Sequence, residues 1–313
     1  MARGDLYAEK KEYSKAIDDY TMSIELKNDD FRAYFRRGEI HAFKNNSQSA
    51  IIDFTKSILL KKDFHKAYLS RGIEYLNTDN PKKALEDFDF LINSNNYDTK
   101  TYLLRGDSYI KLGEYEKGMN EYDLIIKRNP KNESAYLHRA RAQMPPNKSG
   151  GNSSLQNAWF DLTKAIEINP NSTEALIGRS YNYMLIKMPQ KAIDDLTKII
   201  EIKPDHEIAF MARAELYGNL KQFDKSISDY TKAINLDNAN HEAYANRASA
   251  YANLNQFKNA IDDCTTAINI NDQIPYYYHL RGKVLEDIGN KADAQLDFLK
   301  EKELLNKVKR NIK

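Results

Sequence analysis

The sequence predicts an all-α protein, a solenoid of tandem 34-residue helix-turn-helix units, and three observations carry that expectation. First, an Arg followed by Gly, Ala or Ser recurs at Arg3, Arg37, Arg71, Arg105, Arg139, Arg179, Arg213, Arg247 and Arg281. Seven of the eight intervals are identical in length, and the other, Arg139 to Arg179, is longer by six. Second, small residues run in step with it (Ala16, Ala50, Ala84, Gly118, Ala158, Ala192, Ser226, Ala260, Ala294), and four residues after each stands a larger side chain, from Tyr20 to Phe298. Positions i and i+4 share a helix face, so each unit holds a helix whose small residue admits a close neighbour. Third, an aromatic precedes most of the Arg positions by three and a Tyr follows most of them by four, as at Tyr68 and Tyr75 around Arg71. That is the 3–4 spacing of an apolar stripe on another helix.

In chain order, residues 1–30 form a partial unit, and full units span 31–64, 65–98, 99–132, 133–172, 173–206, 207–240, 241–274 and 275–308. A short basic tail, 309–313, follows. Within the units, turn formers such as Thr78-Asp79-Asn80-Pro81 and Leu112-Gly113-Glu114-Tyr115 separate two helices. Asn129-Pro130, Asn169-Pro170 and Lys203-Pro204 stop the second helix. The first unit begins inside a helix, which leads to the expectation that the natural chain extends further or that its start was chosen in cloning. The fifth unit carries six extra residues: Pro145-Pro146 ends its first helix about a turn early, and a Gly/Ser-rich loop is expected over 145–156. In the last unit Glu301 stands where the others carry a packing residue, so the final helix reads as a polar, solubilising cap.

Composition narrows the function classes. The 313 residues include 47 basic and 45 acidic side chains, a net charge of +2, which argues against a nucleic-acid binder. No apolar run reaches the roughly 18 residues that would cross a bilayer, and no signal-peptide core is visible at the N-terminus. Membrane insertion is not expected, and the cytoplasm is the default location, with a mature form lacking its leader as the alternative. The one cysteine, Cys264, excludes an intramolecular disulfide framework and occupies a large-residue position, so it reads as a buried hydrophobe. The six His residues show no i,i+4 pair, and no Gly-rich phosphate loop is present. No catalytic residue, metal site or cofactor is expected, and the chain reads as non-enzymatic.

The recurring Arg suggests an anion-binding row, but a structural account fits better. Sixteen residues after each Arg, or 22 in the enlarged unit, stands an acid: Asp19, Asp53, Asp87, Glu121, Asp161, Asp195, Asp229, Asp263 and Asp297. In an antiparallel helical hairpin these positions come level, so the Arg and the acid are expected to brace the two helices, with bidentate geometry open to them.

A helix-turn-helix unit of this length, with these Arg, small-residue and Tyr positions, resembles the tetratricopeptide repeat family, and the resemblance covers essentially the whole chain. It implies a right-handed α-solenoid in which stacked neighbours share one continuous core. It also implies a concave wall on the first helices, exposed two and one residues before the Arg and two after, with an edge position five before. Carried over, this gives a candidate peptide groove of Arg32, Phe35, Arg36, Lys66, Leu69, Lys100, Leu103, Leu104, His138, Arg141, Ile177 and Tyr181. Over these four positions, units two to five hold five cations against Glu39 and Asp107, net +3. Units six to nine hold Lys283 against Glu174, Glu215 and Glu242, net −2.

The expected partner is therefore a protein or peptide segment, extended or helical, with acidic and apolar character in the first half. The family's carboxylate clamp for chaperone tails is not matched: Met211, Glu215, Tyr276 and Leu280 stand where four of its five residues belong. Two alternatives remain open, a structural or assembly component in which self-association is possible, and a regulatory solenoid that is part of a longer protein.

Overall fold

The computed structural model describes residues 1–95, 98–145 and 151–311. Among these the regular structure is helical, without strands. A partial hairpin, α1 (Ala2–Glu9) with α2 (Tyr13–Leu26), precedes eight full ones. Next come α3 (Phe31–Phe43) with α4 (Ser47–Leu60), α5 (His65–Asn77) with α6 (Pro81–Asn93), α7 (Thr99–Lys111) with α8 (Tyr115–Arg128), and α9 (Glu133–Gln143) with α10 (Asn152–Ile168). The others are α11 (Thr173–Leu185) with α12 (Pro189–Ile202), α13 (Glu207–Asn219) with α14 (Phe223–Leu236), α15 (His241–Asn253) with α16 (Phe257–Ile270), and α17 (Pro275–Asp287) with α18 (Lys291–Asn311). This is the all-α repeat-solenoid class. The repeats follow one another over 1–308, with six extra residues in the fifth, while contacts divide the chain into two compact units, Met1–Asn169 and Pro170–Lys313.

The helix ends follow from local chemistry. Seven residues before the recurring Arg, Asp30, Asp98, Asn132, Ser172, His206 and Asn240 each accept a hydrogen bond from a backbone N–H in the first turn of the helix that follows. Each satisfies one donor that the helix start would leave open. Phe64 holds the same place without a capping bond and instead packs edge-on against Phe31 and Phe35, at 4.9 and 4.8 Å between centroids. Eight residues after the Arg the chain turns through positive φ, at Gly113 and Gly289 but also at Asn45, Asp79, Lys187, Lys221 and Asn255.

A single hairpin cannot bury its apolar face, and each core cluster accordingly draws on successive helices. Phe35 of α3, Ala50, Phe54 and Ile58 of α4 and Ala67 of α5 form one such cluster. Tyr102 and Leu103 of α7, Tyr122 and Ile125 of α8, and Ala135 of α9 belong to another. In the second unit Ala245, Ala267, Ile268, Tyr277 and Leu304 do the same.

Hairpin width is set by a size match between the residue after the Arg and the large residue of the second helix. A Cβ on Gly38 would lie 2.8 Å from the Phe54 ring, on Gly72 2.6 Å from Phe88, on Gly106 2.6 Å from Tyr122, and on Gly282 2.7 Å from Phe298. Where the large residue shrinks to Leu162, Leu196 or Cys264, the small one grows to Ala140, Ser180 or Ala248. Ala214 with Tyr230 is the pair that departs from this rule.

The Arg–acid pairs form as expected. Arg37 Nε and Nη2 donate to both oxygens of Asp53 at 2.9 and 2.7 Å, and Arg71 to Asp87 at 2.9 and 2.6 Å. The same fork joins Arg139 to Asp161, Arg179 to Asp195, Arg213 to Asp229, Arg247 to Asp263 and Arg281 to Asp297. Two further contacts add to the fork. The remaining nitrogen of the Arg reaches back to the preceding hairpin, donating to Thr21, Thr55, Thr197, Thr231 or Thr265, or to Asp89 and Asp123. The flanking rings also sandwich the guanidinium, as Tyr68 and Tyr75 do around Arg71 at 5.6 and 5.7 Å. Arg37, Arg71, Arg105, Arg139, Arg213, Arg247 and Arg281 thus each tie three helices.

Glu121 breaks the fork. Its extra methylene leaves one bond to Arg105, at 2.7 Å, and strands Arg105 Nε and Glu121 Oε2 as buried atoms without a hydrogen-bond partner. Glu121→Asp is expected to restore the second bond and stabilise the first unit by about 1 kcal/mol in urea unfolding. A loss of stability would show that Arg105 is held by Asp89 instead.

Two expectations need amendment. The fifth first helix stops at Gln143, before the extended Met144 that precedes Pro145, but residues 152–156 of the expected loop belong to α10, and the insertion is tied at its base: Ser154 donates to the Gln143 carbonyl, and the Gln143 amide to Asp161. The centre of the 145–156 loop (146–150) and the end of the basic tail (312–313) lie outside the described residues. The last helix is less polar than expected. Glu301 is drawn to His279 at 3.1 Å, and Leu296 and Leu299 are exposed.

Candidate functional site

The candidate residues lie on first helices, at positions fixed by the Arg that anchors each helix to its hairpin. In the first unit they gather at two cavities. One, of about 600 Å³, lies at the start of α3 and is lined by Arg32, Phe35, Arg36 and Lys66 together with Phe31 and Phe64. The other, of about 420 Å³, lies between α5, α7 and α9 and includes Leu104, His138 and Arg141. Leu69, Lys100 and Leu103 line neither. In the second unit Ile177 and Tyr181 are exposed. A cavity in that unit, about 400 Å³ between α13 and α15, is lined by Glu215, Asn219, Lys221, Asn246, Ser249 and Asn253.

Two assignments are corrected by burial. Phe35 and Leu103, two residues before the Arg, are each 6% exposed and belong to core clusters. At these two places packing turns the side chain inward, whereas Ile177, at the same repeat position, is exposed. Each therefore offers little surface to a ligand, although Phe35 is part of the lining of the α3 cavity.

Charge also distributes differently from the count over four positions. At the α3 cavity, Arg36 is bonded to Glu39 at 2.9 Å and lies 3.8 Å from Asp5, and Arg32 Nε is 3.5 Å from Asp30. Three acids therefore meet three cations, and Asp5 and Asp30 fall outside the positions counted from sequence. Lys66 and Lys100, five residues before their Arg, are exposed and have no ion-pair partner among the described residues.

The cavity between α5, α7 and α9 holds the best-defined polar group on this face. Asp107 Oδ1 accepts from the Tyr122 hydroxyl at 2.7 Å and meets His138 Nδ1 at 2.8 Å. A carboxylate only accepts, so His138 donates from Nδ1, and its Nε2 carries the lone pair in the neutral ring. Burial, reinforced by Asp107, pushes the Tyr122 hydroxyl far above the ordinary tyrosine range, so it remains a donor. Sequence reasoning missed Asn77 and Lys111 in this lining, both six residues after their Arg, because the family positions carried over stop two residues after it.

Other groups with chemical potential are structural. Burial raises the carboxyl groups of Asp87 and Asp161 against the lowering effect of their Arg partners. The Cys264 thiol is fully buried and pushed up to about 12 by desolvation, which leaves it unreactive in the folded chain. Among the described residues no cluster of three His, Cys, Asp or Glu side chains is placed to hold a metal ion, and no helix is long and apolar enough to cross a membrane.

With the geometry in place, comparison with known proteins is informative. A TPR repeat model matches residues 4–43, and a tetratricopeptide repeat model matches 31–64, 99–132, 209–240 and 241–274, together just over half of the chain. No curated protein matches it. Among solved structures, yeast Tom70 is 18% identical at a TM-score of 0.50, the match covering 98% of this chain and 75% of that one. A tetratricopeptide repeat protein from Parabacteroides merdae is 20% identical at 0.52, covering 77% and 93%. MamA from Desulfovibrio magneticus RS-1 is 18% identical at 0.51, covering 56% and 96%. Likeness at these identities concerns the fold alone.

Proposed function

The chain belongs to the tetratricopeptide repeat family, and from that premise we propose that it is a non-enzymatic scaffold. Its first-helix face in Met1–Asn169 holds an extended or helical peptide segment, acidic and apolar, from a partner protein. The observation that carries this reading is the combination, on one face of one unit, of Lys66 and Lys100, exposed and without an ion-pair partner among the described residues, with an apolar-walled cavity whose lining adds Lys111 and Arg141. Complementary charge of this kind steers encounter and fixes register, while apolar burial supplies most of the affinity. Because the cations are exposed, affinity is expected to fall as salt rises above a few tens of millimolar.

The test is affinity capture from source-cell lysate by wild type and by Arg32→Glu/Lys66→Glu/Lys100→Glu, matched in thermal stability. A partner kept by the wild type and lost by the triple variant supports the basic face as the site. Equal capture by both sinks it and moves attention to the second unit, where Glu215 gives the cavity the opposite sign.

A further inference from the structure

We propose that the cavity between α5, α7 and α9 is the anchor point of the peptide site, and that it takes one large apolar side chain flanked in sequence by carboxylates. This rests on the peptide-binding reading above and goes further in naming the residue class recognised and where. The volume, about 420 Å³, lies within the range of ligand pockets, and the site is open to solvent on one side. Its walls are of two kinds. Ile73 and Leu76 of α5, Leu104 and Ile110 of α7 and Ala142 of α9 present hydrocarbon from three successive first helices. No single repeat supplies this wall, so it depends on the stacking of units three to five.

The polar side decides the charge of the occupant. Asp107 is the one acid in the lining, and its Oδ1 is already engaged by Tyr122, which is fully buried, and by His138. Both donors act on Oδ1 and fix this oxygen to the imidazole, leaving Oδ2 open, so the sign of the lining is set by its balance against the cations. Against it stand Lys111 of α7 and Arg141 of α9. Lys111 is bonded to Asp79 at 2.9 Å, but Asp79 is 83% exposed, and a surface pair of this type exchanges readily for a ligand carboxylate. The lining is thus net positive, unlike that of the α3 cavity, where acids balance cations. Lys100 on α7 and Lys66 on α5 extend the same sign along the helices that supply the apolar wall.

The experiment is selection of a random-peptide display library on the full chain, followed by titration of the recovered peptides by fluorescence anisotropy. The expected result is enrichment of Leu, Ile, Met or Phe flanked by Asp or Glu. Lys111→Glu/Arg141→Glu, both at exposed positions, is expected to weaken these peptides about tenfold or more and to redirect selection toward Lys/Arg flanks. Leu104→Ala, checked for an unchanged melt, is expected to weaken them without altering charge preference. Recovery of acidic, apolar peptides indifferent to all three substitutions would overturn the anchor and leave the broader peptide-binding reading standing. Enrichment of basic peptides, or no enrichment above a selection without the protein, would overturn both.

Discussion

Arg71→Ala is expected to destabilise the first unit by about 3 kcal/mol or more, because it leaves the Asp87 carboxylate buried without its cation. Asp87 is 2% exposed and takes both fork bonds from Arg71, which also holds Thr55 of the preceding hairpin at 3.1 Å. The loss therefore reaches across three helices, α4, α5 and α6. Trp159 is the single tryptophan and lies in the same unit, so its fluorescence during urea unfolding reads the effect directly. Arg71→Met/Asp87→Leu is expected to regain most of the lost stability, since apolar groups of similar size fill the site without a charge to desolvate. A single-variant cost below about 1 kcal/mol would mean that the pair behaves as a solvated surface bridge.

Gly72→Ala is the second large effect, a net loss of up to about 2 kcal/mol once two opposing terms are combined. Ala favours a helix over Gly by about 1 kcal/mol, yet overpacking a filled core costs about 1–3 kcal/mol or occasionally more. Here the new Cβ would stand 2.6 Å from Phe88 Cε1 and 2.8 Å from Cζ, and Phe88 is fully buried with nowhere to swing. Phe88→Leu alone opens a cavity and also destabilises. The double variant copies the pairings that the chain itself uses at Ala140 with Leu162 and Ala248 with Cys264. It is expected to fall short of the sum of the two losses by about 1 kcal/mol, the coupling typical of residues in contact. Strict additivity would show that the glycine and the ring do not set each other's size.

These two predictions mark where the sequence was and was not legible. The Arg–acid spacing could be read because hairpin geometry makes positions 16 apart level whatever lies beyond, and one methylene, at Glu121, was enough to change a fork into a single bond. The match of Gly72 to Phe88 was also written in the sequence, as a covariation along the repeats, but it joins two helices, whereas the small-to-large pattern at i and i+4 lies within one. The Thr that most of the Arg residues meet on the preceding hairpin was missed for the same reason: it belongs to the next unit's environment. On the first-helix face the structure places Leu104, His138 and Arg141 at one cavity, adds Asn77 and Lys111, which the carried-over positions do not include, and buries Phe35 and Leu103.

By itself the sequence determined the repeat, the helix pairs, their caps and stops, and the ionic brace. All of these depend on periodicity and on groups close in the chain or within one hairpin, where geometry is fixed by the backbone alone. The tertiary structure decided which face of a first helix stays open, how Asp5 and Asp30 cancel the N-terminal cations, and how Asp107, Tyr122 and His138 meet beneath an apolar wall drawn from three repeats. Those outcomes rest on the packing of successive hairpins and on sums of charge in space. A pattern with a period of 34 describes every repeat alike and is blind to what neighbouring repeats make together.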